Sequence, residues 1–329
     1  DKVFCISTEG SVSMFLAALW EIASGNRLRT VILYPELDGI EIISIHAAKS
    51  CEYSYEMQGT IFCLDSNGGV WFMPQTTSQF RKLDIAQPVV SISHGLRQVF
   101  FIMEDRTVMR IGDAFGDKFS SPSLILELKN VTQMFGGPKT AFALCDNGAI
   151  WASGENDSLI PGTKRNTYDF IPIVASSSVV SIECGEHQTF FVLSNGDVFV
   201  FGRVVEQCLT LPLTCKYTPV PLQISELSDI QRVFEFQGRI CALDSSGAVR
   251  NIPVPCKKEW KPVCSFTLIG SIPTYITPSA ISGDKIFASD EAGQLWMLYP
   301  ALKANPIQQS ETFSNLCGAR KCFSKSAMK

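Results

Sequence analysis

Histidine, charge and long apolar runs are all scarce in this sequence, and each scarcity removes a class of function. Only three histidines, His46, His94 and His187, occur in 329 residues. So few imidazoles leave little for general-base or metal chemistry. No Cys-x-x-Cys pair occurs, and Cys317 and Cys322 have no matching pair elsewhere, so no metal site is expected. There is no phosphate loop, no dinucleotide fingerprint after a strand and no nucleophile elbow. No catalytic residue, no cofactor and no enzymatic activity are therefore expected. Charged residues make up only 18% and the net charge is −4. The basic footprint of a nucleic-acid binder is missing, so direct nucleic-acid binding is not expected. The longest apolar stretch, MFLAALWEIA at residues 14–23, is far too short to span a bilayer. It also lacks a signal peptide's basic start and cleavage site, so neither secretion nor membrane insertion is expected. The first residue is Asp1 rather than Met, which fits a processed or shortened start.

Apolar residues reach 46%, with 22 Phe and 12 Cys. That is enough for a sizeable core. Cys5, Cys63, Cys145 and Cys241 sit inside apolar runs, where free cysteine behaves as a small hydrophobe. Reduced, structural cysteines imply an intracellular protein, cytoplasmic or nuclear.

The most informative stretch is ECGEHQTFFVLSNGDVFVFG, residues 183–202. An apolar run, a polar turn with Gly196 and a second apolar run follow one another. The same pattern recurs in VFCISTEGSVSMF at Gly10, IFCLDSNGGVWFM at Gly68 and AFALCDNGAIWASG at Gly148. It recurs again in ICALDSSGAVRNI at Gly247 and IFASDEAGQLWML at Gly293. VFFIMEDRTVMRIG carries Arg106 at the glycine position. Asp, Asn or Ser followed by Gly supplies positive φ and reads as a tight hairpin connection, and the flanks suit strands. Three residues after the glycine stand Trp71, Trp151, Phe199 and Trp296, bulky enough to pack between neighbouring units. Gly95, Gly137 and Gly185 each precede their turn residue by eleven positions and follow the strand-like stretches VVSISH, VTQMFG and VVSIEC.

Units of several short strands spaced about 40–50 residues apart suggest propeller blades. The expected fold is all-β: a single seven-bladed β-propeller over residues 1–329. FSNLCG, residues 313–318, resembles an opening strand. It is expected to join the N-terminal strand in one blade and close the ring, which removes a free sheet edge. It could instead begin a truncated eighth unit. The long gap after Gly10 calls for an insertion at residues 15–38, either a short helix ending at Gly25 or a buried strand and loop.

Residues 182–202 and 134–154 resemble the repeat of the regulator of chromosome condensation family. The resemblance lies in IECG-x-H-x-T, the turn glycine and the closing F-G, and in MFGG with FALCDNGAIWASG. After Gly154 the chain keeps Asn156 and Gly162 of the family's N-x-x-G-Q-L-G tail but lacks its Gln-Leu pair. The resemblance implies a seven-bladed propeller. Members of the family act as an exchange factor for the nuclear transport GTPase, as chromatin or ciliary scaffolds and as domains of ubiquitin ligases. The Gly-Trp-Arg-His-Thr motif of a plant light sensor in the family is absent.

His187 and His94 stand beside the upstream glycines and read as blade-linking groups. Asp290 and Glu291 read as turn residues. Binding is then expected in loops held by the rigid strands. The first candidate loop, residues 154–170, offers Asn156, Lys164, Arg165 and Tyr168. The second, residues 203–219, offers Arg203, Lys216 and Tyr217. Basic and aromatic side chains together favour a protein interface. The expected function is a non-catalytic scaffold for protein partners. The alternative is a guanine nucleotide exchange factor for a Ran-like small GTPase. It is disfavoured by the degenerate repeats and by the lack of a basic N-terminal tail.

Overall fold

The computed structural model describes residues 2–7, 12–16, 32–47, 60–74, 77, 79–95, 98–112, 121–137, 139–154, 167–173, 179–185, 188–203, 217–225, 227–236, 239–252, 268–271, 276–282, 285–290, 295–298, 304–306 and 313–319. They form seven four-stranded antiparallel sheets. Sheet one takes β28 (Phe313–Ala319), β1 (Lys2–Ser7), β2 (Val12–Leu16) and β3 (Ile32–Leu33), in that order. Sheet two is β4 (Ile42–Ala47), β5 (Ile61–Asp65), β6 (Val70–Met73) and β7 (Arg81–Lys82). Sheet three is β8 (Val89–Gly95), β9 (Gln98–Met103), β10 (Val108–Ile111) and β11 (Ser123–Leu124). Sheet four is β12 (Val131–Gly136), β13 (Thr140–Cys145), β14 (Ile150–Gly154) and β15 (Thr167–Ile173). Sheet five is β16 (Val179–Cys184), β17 (Gln188–Leu193), β18 (Val198–Arg203) and β19 (Tyr217–Gln223). Sheet six is β20 (Ile230–Phe236), β21 (Arg239–Asp244), β22 (Ala248–Ile252) and β23 (Leu268–Ser271). Sheet seven is β24 (Ile276–Ser282), β25 (Lys285–Asp290), β26 (Leu295–Leu298) and β27 (Ala304–Pro306).

The C-terminal strand expected at 313–318 is β28. It pairs antiparallel with β1, with Phe4 opposite Cys317 and Lys2 opposite Ala319. Of the insertion expected at 15–38, residues 15 and 16 lie in β2, and Pro35–Leu37 form a single 3-10 turn. Residues 17–31 fall outside the described residues.

Leading strands of neighbouring sheets touch one another: β24 meets β28, β28 meets β4, β8 meets β12, β12 meets β16 and β16 meets β20. The second strand of a sheet is thereby covered on both faces. Its sequence is accordingly a continuous apolar run rather than an alternating one. Every residue of β9 is buried, and so is every residue of β13. Alternation then decides which neighbour a side chain meets. Phe101 packs with Phe62 and Leu64 of sheet two, while the adjacent Phe100 packs with Ala141 and Ala143 of sheet four. The core is thus a series of layers between sheets. Aromatic pairs knit these layers: Phe62 and Phe101 lie 6.2 Å apart, and Phe142 meets Phe191 edge-on at 5.9 Å. Three of the four aromatics expected to pack between units do so, each against the preceding sheet, while the side chain of Trp296 lies outside the described residues. Half-buried Trp71 meets the cluster holding Val12 and Tyr34, Trp151 meets Phe100 of sheet three, and Phe199 meets Phe142 of sheet four.

Four of the described hairpin turns use a three-residue loop. Asp65 N–H donates to the Gly69 carbonyl at 2.9 Å, and Gly68 N–H donates back to Asp65 at 3.0 Å. The same pair of bonds recurs at Arg106, Gly148 and Gly196. This is a type I turn closed by a left-handed residue, which explains glycine there. The φ values are +79° at Gly68 and +83° at Gly196. Space forbids a side chain as well: a Cβ on Gly68 would stand 2.6 Å from Pro88 Cβ, and one on Gly196 would stand 2.6 Å from Asp229 Cα. Arg106 holds φ +63° without being glycine.

Candidate interaction surface

Three of the described turns are stitched to the next sheet. Val89 N–H donates to Gly68 O at 2.9 Å, Val131 N–H to Arg106 O at 3.0 Å and Ile230 N–H to Gly196 O at 3.1 Å. Within a sheet, the first turn residue also reaches back to the residue before the leading strand. Ser66 N–H donates to Glu41 O, Glu104 N–H to Pro88 O, Asp146 N–H to Asn130 O and Ser245 N–H to Asp229 O. Turns, links and strand starts therefore share one end of the molecule, here named the turn end. The other end carries the corners between first and second strands. There the backbones of Gly95 and Gly136 approach so closely that a Cβ on either would collide with the other.

Three of the sequence-derived candidates, Tyr168, Arg203 and Tyr217, lie at the corner end. Tyr168 is in β15, Arg203 ends β18 and Tyr217 opens β19. Arg203 and Tyr217 are direct cross-strand partners, at the base of the connection formed by residues 204–216. Gly154 faces Thr167 in the same way at the base of residues 155–166. The two connections leave neighbouring sheets, since β12 and β13 both touch β16. Asn156, Lys164, Arg165 and Lys216 lie outside the described residues, as does His187.

The turn end carries features that the sequence reading passed over. Exposed carboxylates crowd it. Glu104, Asp105 and Asp146 lie in turns, and Asp38, Glu41, Asp84, Glu127 and Asp229 lie in the links that lead into β4, β8, β12 and β20. Among the described residues there, Arg106 and Lys129 are exposed cations of the turns and links, Lys82 and Arg232 are exposed in the adjoining strands, and Arg106 is already paired to Asp146 at 2.9 Å. The whole chain has 28 Lys and Arg against 32 Asp and Glu, so this excess is local.

Two buried acids organise turns. Asp65 accepts from the backbone of Asn67 at 3.0 Å and Gly69 at 2.7 Å, and from Trp71 Nε1 at 3.0 Å. Asp244 accepts from the Ser246 backbone and hydroxyl, from Ala248 N–H and from Arg250. Burial alone would raise the Asp244 pKa, but the hydrogen bonds from Ser246, Arg250 and Ala248 outweigh it and hold the carboxyl below its ordinary value. A polar depression of about 310 Å³ opens beside it, between Asp229, Ser245 and Arg250.

The leading strands add an apolar element. In five of them the ladder slips by one residue after the first pair. Such a bulge re-aims the skipped side chain. The skipped residues are Ile43, Val90, Thr132, Val180 and Gln231. Ile43, Val90 and Val180 are 49%, 53% and 47% exposed. The signal was present in the sequence, as an apolar pair before serine in IIS, VVS and VVS, but a strand interior gave no reason to expect exposure.

No family model matches the chain, and no curated protein does. Solved structures do resemble it. Human WBSCR16 superposes with a TM-score of 0.63 at 14% identity, covering 94% of this chain and 95% of that one. Yeast RCC1 (Prp20), solved bound to Kap60, gives 0.59 at 15% identity, covering 76% of this chain and 67% of that one. The β-propeller domain of Cps50 (Swd1) from Myceliophteria thermophila gives 0.51 at 10% identity, covering 83% and 90%. At these identities the likeness establishes the β-propeller fold. Among the described residues, no helix is long and apolar enough to cross a membrane.

Proposed function

We propose that this chain is a seven-bladed β-propeller of the RCC repeat type that serves as a non-catalytic scaffold for protein partners. In this reading β28 closes the ring by pairing with β1, and residues 1–329 form one domain. The observation that carries it is the repeated stitching of turns to the following sheet, seen at Gly68, Arg106 and Gly196. Such stitching makes a rigid frame with connections presented at both ends, and binding groups are commonly carried on loops of this kind. The connections holding Asn156, Lys164, Arg165 and Tyr168, and Arg203, Lys216 and Tyr217, are one partner surface. Buried cysteine thiols at Cys63, Cys145, Cys184 and Cys241 fit an intracellular, cytoplasmic or nuclear setting.

The alternative reading is guanine nucleotide exchange on a Ran-like small GTPase. The carboxylates of the turn end favour it, since an exchange factor needs acidic residues along one face. Nucleotide release from such a GTPase, with catalytic amounts of this protein, separates the two. A scaffold leaves the release rate unchanged and retains a stable partner in a pull-down. Acceleration by several orders of magnitude would overturn the scaffold reading.

A further inference from the structure

We infer that the turn end docks a basic segment of a partner protein, with an aliphatic side chain of that segment seated on the rim formed by Ile43, Val90 and Val180. The inference rests on the scaffold reading and names a second surface for it. Three exposed β-branched side chains stand at one register position of the leading strands of sheets two, three and five, and Thr132 of sheet four, exposed at the same position, lies between Val90 and Val180 along the rim. Isolated exposed apolar residues need no explanation, but apolar residues clustered inside a polar border mark interaction sites. The border chooses the partner. Glu41 stands two residues before Ile43, and Asp84, Glu104 and Asp105 belong to the link and turn of the sheet that carries Val90. These carboxylates are exposed and outnumber the exposed cations beside them, of which Arg106 is committed to Asp146 and Lys82 lies over the Trp71 ring. A cationic segment meets complementary charge there, whereas an acidic or purely apolar one leaves the carboxylates unpaired. The depression beside Asp229 has room for a Lys or Arg side chain of the same segment.

The test uses the full chain and a fluorescein-labelled peptide, Lys-Arg-Lys-Leu-Lys-Arg-Lys, read by anisotropy at low and physiological salt. Saturable binding that weakens with salt is expected. The triple variant Asp84→Lys, Glu104→Lys, Glu127→Lys should weaken it about tenfold or more, since these groups hold no turn together. Replacing the peptide's Leu by Ser, or Ile43, Val90 and Val180 together by Ser, should each weaken it about threefold or more. Circular dichroism melts confirm that the variants fold; for a variant that does not, the Leu→Ser peptide on the parent chain gives the answer. The inference is overturned by absence of saturable binding, by equal binding of the peptide with Glu and Asp in place of Lys and Arg, or by indifference to both triple variants. A partner still retained through residues 155–166 and 204–216 would then leave the scaffold reading standing. GTPase acceleration with intact peptide binding would remove the scaffold reading and spare the docking surface.

Discussion

Sheets two and four build the same unit from different chemistry. Both bury a phenylalanine at the middle of the second strand, Phe62 and Phe142, and both place a half-buried tryptophan after the turn, Trp71 and Trp151. Both bury a threonine at the start of that strand, Thr60 and Thr140. They differ where the second strand ends. Sheet two places Asp65 there, 4% exposed, and sheet four places Cys145, 6% exposed. In sheet two the buried carboxylate ties together two turn amides and the Trp71 indole. In sheet four the turn is held from outside, by the exposed Asn147 side chain accepting from Ala149 N–H at 2.9 Å. One turn geometry therefore tolerates a buried ionic anchor or a solvent-side amide. Their energetic stakes differ, because unmaking bonds to a buried charge leaves donors without water to replace it.

That contrast sets the largest expected effect. Asp65→Ala should destabilise the protein by about 3 kcal/mol, because three donors lose their charged acceptor at once. Asn147→Ala should cost about 0.5 kcal/mol, as for an exposed turn residue. Urea denaturation measures both, and equal costs would break the comparison. Next in size, Gly68→Ala should cost about 2 kcal/mol, combining left-handed strain with the collision against Pro88. The same measurement checks it; a loss below about 0.5 kcal/mol would mean the link to β8 yields freely.

A third contrast is pH dependence. His46 on β4 occupies the place that Phe135 holds on β12. Burial pushes its pKa from 6.5 down to about 4. The folded state then declines a proton that the unfolded chain accepts. The stability associated with the neutral ring is complete above pH 6.5 and is lost as the pH falls from 6.5 toward 4. His46→Phe, which copies sheet four, should flatten the urea midpoint across that window. An unchanged slope between pH 6.5 and 4 would show that other groups carry it.

Much of this architecture was legible in the sequence. The apolar runs around the turn glycines located six of the seven hairpins by glycine alone, and at the seventh Arg106 takes the left-handed place and pairs with Asp146 across the sheet boundary. The strand expected at 313–318 pairs with β1 because its pattern matches the other leading strands. What stayed hidden depends on neighbours that are distant in sequence. Asp65 and Asp244 both stand three residues before their turn glycine, a place the exposed Asp105 does not share, yet only the folded chain shows that this place is buried. The exposure of Val90 follows from a one-residue slip against β9, which the apolar pattern conceals. A repeated link went unnoticed although its letters were visible. Leu37, Leu128 and Leu227 follow glutamate in PEL, LEL and SEL, and each donates its N–H to a buried residue three positions earlier. Composition alone marks the candidate partner residues, and among them the register sets only Arg203 and Tyr217 opposite one another.

The smallest expected effect concerns what the two sheets share. The Thr60 and Thr140 hydroxyls are buried with no hydrogen-bond partner. Their methyl groups suit the apolar layers, while the hydroxyl loses its hydration on folding and regains nothing. Valine has nearly the same shape without that loss. Thr140→Val should therefore leave stability unchanged or raise it by up to about 1 kcal/mol, and Thr60→Val should do the same. A buried threonine that donated to a neighbouring sheet would instead cost about 1 kcal/mol or more on this change. Denaturation of the two variants side by side decides the matter. Loss in one sheet alone would mean that the sheets differ at their corner end as well as at their turns. Loss in both would mean that each hydroxyl has a partner in solution.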